Sequence, residues 1–151
     1  YIDCATRREK EGIPLIVQLN LQCDVPLYLQ LRNQIVLQIG EGLAQPGERL
    51  PTVRELAAQL GVNAMTVNKA YALLKQEGYL VQDRRAGTAV AEHFPPAADF
   101  TAKLEYDLSL LTAESGLRGI DEETFLALCR KQYRRFGAGA RTAKEGSGCS
   151  L

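Results

Sequence analysis

Apolar residues recur at helical spacing in five stretches of the chain, and three shorter stretches read as extended. Leu27, Leu31, Ile35 and Ile39 form one stripe, with Tyr28, Val36 and Leu43 beside it. They predict a first helix that opens at Asp24-Val25-Pro26, where proline is tolerated in the first turn, and closes at Gly42. Val53, Leu56, Ala57 and Leu60 predict a second helix, and Val67, Ala70, Tyr71 and Leu74 a third. Phe100, Leu104, Leu108 and Leu111 predict a fourth that ends near Ser115-Gly116. Phe125, Leu128, Cys129, Gln132, Tyr133 and Phe136 predict a fifth, with Cys129 on its core side. Ile13 to Gln22 alternates loosely, as a strand would, and could lie beside a hairpin made of Tyr79–Gln82 and Thr88–Ala91.

Local signals set the ends of these elements. Thr52-Val53-Arg54-Glu55 is a capping box: the Thr52 hydroxyl can accept from the Glu55 amide, and the Glu55 carboxylate from the Thr52 amide. Pro51 keeps Leu50 extended before it. Gly61 supplies a left-handed stop, and Asn63 is a good N-cap for the next helix. These signals predict helices over Thr52–Leu60 and Asn63–Glu77, joined by Gly-Val-Asn, a helix-turn-helix. Asp83-Arg84-Arg85-Ala86-Gly87 is the turn of the hairpin that follows, so Arg84 and Arg85 stand at its tip. Asp121 is the N-cap of the fifth helix, with Ile120 and Phe125 at the hydrophobic-staple positions.

The fold class expected is mainly α with a small β wing: a winged helix-turn-helix followed by a short two-helix element. The chain divides into a polar extension over 1–12, a winged domain over 13–91, a linker over 92–98 containing Pro95-Pro96, a helical pair over 99–136, and a Gly/Ala/Ser-rich tail over 137–151 expected to be disordered. The chain opens on Tyr1 instead of an initiator methionine, as a processed, cloned or incomplete piece would.

Charge sharpens the picture in one place. The chain carries 18 basic and 18 acidic residues, which argues against coating nucleic acid through bulk charge. From Leu56 to Gln76 there is no acidic residue, while Lys69 and Lys75 are present. A helix that faces phosphates should exclude carboxylates in this way.

Other chemistry finds no support. Cys4, Cys23, Cys129 and Cys149 form no C-x-x-C pair, which speaks against a zinc site or a disulfide framework. His93 is the single histidine and sits beside the linker prolines. Glu122-Glu123 complement a helix N-terminus. No phosphate-binding glycine loop, secretory signal or long apolar run is present, so we expect a cytoplasmic protein with no catalytic residues, metal, cofactor or membrane span.

Taken as a set, Leu50-Pro51-Thr52-x-Arg54-x-Leu56-Ala57, Gly61-Val62-Asn63-x-x-Thr66-Val67, Glu77-Gly78-Tyr79-Leu80 and Gly87-Thr88 resemble the DNA-binding domain of GntR-type bacterial transcription regulators. The likeness runs from about Leu15 to Val90 and includes Pro26-Leu27-Tyr28. Asn63-x-x-Thr66-Val67-x-Lys69-Ala70-Tyr71 resembles the YtrA-like branch. Many members carry an arginine after the N-cap of the recognition helix; here Ala64 stands there.

The resemblance implies a homodimeric repressor on a double-stranded DNA operator. It implies that Thr52 and Arg54 meet a phosphate or a nearby base edge, that Asn63, Ala64, Met65, Thr66, Asn68 and Lys69 face the major groove, and that Arg84, Arg85, Gly87 and Thr88 meet the backbone or minor groove. It also implies that Phe100, Leu104, Leu108, Leu111, Phe125, Leu128, Tyr133 and Phe136 form the dimer interface; packing on the winged domain of the same chain is the other use for those side chains. The chain lacks the length for a fused aminotransferase-like domain or a large effector domain, and no small-molecule effector can be named. Two alternatives stay open: the N-terminal piece of a larger GntR-type protein, and a winged helix used for protein–protein contact.

Overall fold

The apolar stripes of three helices meet in one core. In the computed structural model, which describes residues 15–84 and 87–137, these helices are α1 (Leu27–Gly40), α2 (Val53–Leu60) and α3 (Ala64–Gln76). Leu31 and Ile35 of α1, Leu56 and Ala57 of α2, and Val67, Ala70, Tyr71 and Leu74 of α3 are all buried. Leu80 and Val90 close the core from the hairpin β1 (Leu80–Asp83) and β2 (Gly87–Val90). Leu43, just past α1, is exposed instead.

The signals read from the sequence work locally as expected. Thr52 Oγ1 accepts from the Glu55 amide at 3.3 Å, and the Glu55 carboxylate accepts from the Thr52 amide at 2.7 Å. Gly61 takes φ 64°, a left-handed stop that a Cβ would strain. Asn63 Oδ1 accepts from the Met65 amide at 2.8 Å and starts α3. The Tyr71 hydroxyl donates to the Pro51 carbonyl at 2.9 Å, tying α3 to the entrance of α2. Burial pushes its phenol well above the usual range.

The strands pair antiparallel, Leu80 opposite Val90 and Asp83 opposite Gly87. A third extended piece does lie beside β2, but it comes from the loop before α2. Arg49 bridges Ala89, the Leu50 amide donates to the Thr88 carbonyl, and the Val90 amide donates to the Glu48 carbonyl. At the far end of α3, the Arg32 guanidinium meets Glu77 at 2.7 Å and lies 5.6 Å from the Tyr79 ring centre. The Tyr79 and Phe94 rings are 6.1 Å apart.

The strand expected over Ile13–Gln22 is a different structure. Ile13 and Pro14 lie outside the described residues; residues 15–20 are extended but pair with no strand. Their partners are glutamine side chains of α1. The Ile16 amide donates to Gln38 Oε1 and Gln38 Nε2 donates to the Ile16 carbonyl. Gln34 pairs with Gln18 in the same reciprocal way, and Gln30 with Asn20. Alternation then turns Leu15, Val17 and Leu19 onto the core while Ile16, Gln18 and Asn20 face outward. The first helix accordingly starts at Leu27, after the turn, and not at Asp24.

The chain divides into two compact units between Phe94 and Pro95. The second holds α4 (Ala97–Leu117) and α5 (Glu122–Gly137). The fourth helix begins inside the segment expected to be linker, with Pro96 as its N-cap. It closes through Gly119 at φ 76° and an Ile120 amide bond to the Ser115 carbonyl. Asp121 Oδ1 accepts from the Thr124 amide at 2.7 Å and caps α5; that bond holds its carboxyl below the usual range. Glu122 and Glu123 in the first turn of α5, and Arg134 and Arg135 in the last, complement the partial charges of its dipole. Cys129, expected in a core, is exposed. Residues 1–12 and all of the expected tail but Gly137 lie outside the described residues.

Candidate nucleic-acid interface

One face of α3 is buried, so the opposite face is defined by subtraction. Ala64, Met65, Asn68, Lys69 and Ala72 are exposed on it; Met65 is 71% exposed, a large apolar side chain in solvent. Thr66 is only half-buried and sits at the edge of this face. Asn63 is exposed, but its side-chain oxygen already caps α3, which leaves its amide nitrogen as the group able to reach a partner.

Thr52 and Arg54, both exposed, stand at the start of α2. The Thr52 hydroxyl oxygen accepts from the Glu55 amide, and the hydroxyl also bonds the Glu55 carboxylate, so both of its functions are used within the capping box. Glu55, the one carboxylate in that turn, is engaged by the Thr52 amide, which holds it below the usual carboxylate range; Thr52 hydroxyl bonding and the nearby Arg49 charge act in the same direction.

The wing carries Arg84, exposed in the turn, with Gly87 and Thr88 half-buried in β2. Arg85 lies outside the described residues. Gly87 has φ 81°, and a Cβ there would sit 3.7 Å from Arg49 Nε. Thr88 Oγ1 lies 3.2 Å from Gln82 Oε1, the same oxygen that accepts from Lys75 Nζ at 2.6 Å. The Thr88 hydrogen is thus engaged within the wing.

Three groups here escaped the sequence reading. Arg49 runs beneath the wing tip from the loop before α2, a basic residue just ahead of Leu50-Pro51. Gln82 braces the wing against the end of α3 through Lys75. Tyr28 of α1 lies under Lys69, with Nζ 3.9 Å from its ring centre. Polar side chains of opposite elements at complementary positions were the only hint of these contacts.

The surface formed by these elements is suited to an anionic, grooved partner. It combines an acid-free helix face, two positioned lysines, an exposed arginine at the mouth of α2 and a hairpin beside them. His93 is exposed, and the described residues hold no cluster of three or more metal-ligating side chains.

In the second unit, Phe100, Leu104, Leu108, Leu111, Leu128 and Tyr133 are each at least 40% exposed, whereas Phe125 and Phe136 are half-buried. Ile120 and Phe125 line the same shallow corner between α4 and α5. Among the described residues no helix is long and apolar enough to cross a membrane.

Comparison with known proteins agrees with this geometry. Residues 27–90 match the family described as bacterial regulatory proteins, gntR family. The chain is 38% identical over 86 residues to the HTH-type transcriptional regulator Rv1152 of Mycobacterium tuberculosis, covering 57% of this chain and 71% of that protein. It is 36% identical over 78 residues to the HTH-type transcriptional repressor YtrA of Bacillus subtilis, covering 52% of this chain and 60% of that one. Among solved structures, YtrA from Sulfolobus acidocaldarius, a GntR-family transcription factor, superposes with a TM-score of 0.56 at 35% identity, over 65% of this chain and 98% of that chain.

Proposed function

The chain belongs to the GntR family of bacterial regulatory proteins, in its YtrA-like branch, and from that premise we propose that it is a sequence-specific DNA-binding transcription regulator that acts as a dimeric repressor. The observation that carries the reading is the division of α3 into two faces. Val67, Ala70, Tyr71 and Leu74 anchor it in the core, and an acid-free face of Met65, Asn68 and Lys69 is left exposed.

Each element has a role in this reading. The exposed face of α3 enters the major groove. Asn68 can pair with adenine, while Met65 or Ala64 can meet a thymine methyl, since no arginine follows the N-cap. Asn63 donates through its side-chain nitrogen, and Thr66 reaches the groove from the edge of the face. Thr52 and Arg54, at the start of α2, meet a phosphate or a base edge close to it. Arg84 and Arg85, with the backbone at Gly87 and Thr88, meet the backbone or minor groove under the wing. Lys69 neutralises a phosphate.

A dimer is supported by the apolar side chains that α4 and α5 leave exposed in the single chain. Two copies would read half-sites about one helical turn, roughly 34 Å, or a multiple of it apart. Occupancy of such an operator over a promoter blocks transcription. A gel shift with genomic fragments, followed by footprinting of the retarded fragment, tests the reading. A symmetric protected site is the expected result. Retardation of every fragment alike, or of none, would sink it, and the latter would favour a winged helix that contacts protein.

A further inference from the structure

Acid-free α3 carries two lysines, and each is held by a different neighbour. Lys75 donates to Gln82 of the wing at 2.6 Å. Lys69, six residues earlier, lies over the ring of Tyr28 at 3.9 Å from its centre. Leu27, Met65 and Ala72, with Thr66 and Asn68, line an open hollow together with this pair. A free lysine samples many rotamers and loses that freedom when it grips a phosphate. An ammonium on a ring face has already lost much of it, and the ring quadrupole keeps the charge on one side.

We propose that Tyr28 is a positioning residue for DNA binding: its ring aims Lys69 at a phosphate on the α1 flank of the groove and keeps it off the base edges. Lys75, drawn toward the wing, serves the opposite flank. Six residues at 3.6 per turn set the two lysines about 120° apart around the helix, so they flank the face that carries Met65 and Asn68. The inference rests on the DNA-binding reading above and adds a residue of α1 that acts through its aromatic face.

The test uses the full-length chain, a footprinted operator duplex and a random duplex of equal length, with affinity measured across a salt series. Lys69→Ala should lower the steepness of log affinity against log salt by about 0.9 on both duplexes, one phosphate contact. Tyr28→Leu should weaken binding about two- to five-fold, equally on both duplexes, and take part of the same slope. In a Lys69→Ala background, Tyr28→Leu should do nothing further. Tyr28→Phe keeps the ring and should recover what leucine loses.

Three results overturn the inference: an undiminished Tyr28→Leu effect in the Lys69→Ala background, a Tyr28→Phe loss as large as that of leucine, or a Tyr28→Leu variant that binds like wild type. Should leucine unfold the chain, the Lys69 side-chain methylene resonances of wild type and Tyr28→Phe decide the matter. Ring-current shifts should move them upfield in both, and ordinary positions would overturn the contact. A wild-type chain that binds neither duplex would instead remove the DNA-binding reading, whatever those resonances show.

Discussion

Gln38 and Ile16, 22 residues apart, exchange two hydrogen bonds: the Ile16 amide donates to Gln38 Oε1 at 3.2 Å, and Gln38 Nε2 donates to the Ile16 carbonyl at 3.0 Å. Gln38 is the one buried polar side chain among the described residues, and this pairing is what makes its burial tolerable. A side chain here takes the place of a neighbouring strand.

Gln38→Leu keeps the volume and removes both partners of Ile16. The backbone groups left unpaired should cost about 1–3 kcal/mol of stability. In a thermal melt that is a drop of several degrees, since a kcal/mol moves a domain of this size by roughly 4–8 °C. A melt within a degree of wild type would show that the segment over residues 15–20 is held by its apolar side chains alone.

Arg54→Ala should cost roughly 1–3 kcal/mol on the operator if the guanidinium reads a base. Competition with random DNA is the deciding measurement. A loss confined to the operator supports base reading, and equal losses on both make Arg54 a backbone contact.

Ending the chain before Phe100 should leave the first unit folded, because its buried residues end at Ala91 and Phe94, which packs on Tyr79, is retained. The shortened chain should sediment as a monomer and lose most operator affinity. If it still sediments as a dimer, α4 and α5 are not the dimerisation element.

Acid should weaken the helix-turn-helix through Glu55. Its folded pKa is depressed, first by the Thr52 amide bond, so the contribution is present above the unfolded value of about 4.3 and is lost as pH falls through the folded one. Thr52→Ala removes the hydroxyl half of the box and should flatten the dependence of melting temperature on pH below about 5. An unchanged slope would mean that the carboxylate does not sense the cap.

The parts of this fold that were legible in the sequence are those whose causes are local. Thr52, Glu55, Gly61 and Asn63 act within four residues, so α2 and α3 begin and end where their side chains say. The face of α3 followed from its period alone. The extended segment was not legible as it stands, because alternation of Leu15, Val17 and Leu19 reports which side is buried and not what the backbone bonds to. Gln30, Gln34 and Gln38 looked like an ordinary polar stripe. Tyr28, Arg49 and Gln82 were missed for the same reason: each acts on a residue from another element, through a contact that spacing does not encode. Cys129 was placed inward by period, yet a helix in a two-helix unit has more apolar face than its one neighbour can cover.

The glutamine pairing is a vernier with a built-in limit. Two residues of extended chain advance about 6.6–6.8 Å, and four residues of helix about 6.0 Å, so each step leaves a mismatch of about 0.7 Å. Three rungs, at Asn20, Gln18 and Ile16, accumulate about 1.4 Å, which long amide side chains can absorb by leaning. The next position in the two-residue step is Pro14, which has no amide hydrogen to offer a fourth. The scale also fixes phase. One residue inserted between Ile16 and Asn20 would swap inward and outward positions on one side of the insertion while the glutamines stayed where they are. The spacing of three glutamines on a helix thereby dictates the length and reading frame of a segment that makes no strand pairs.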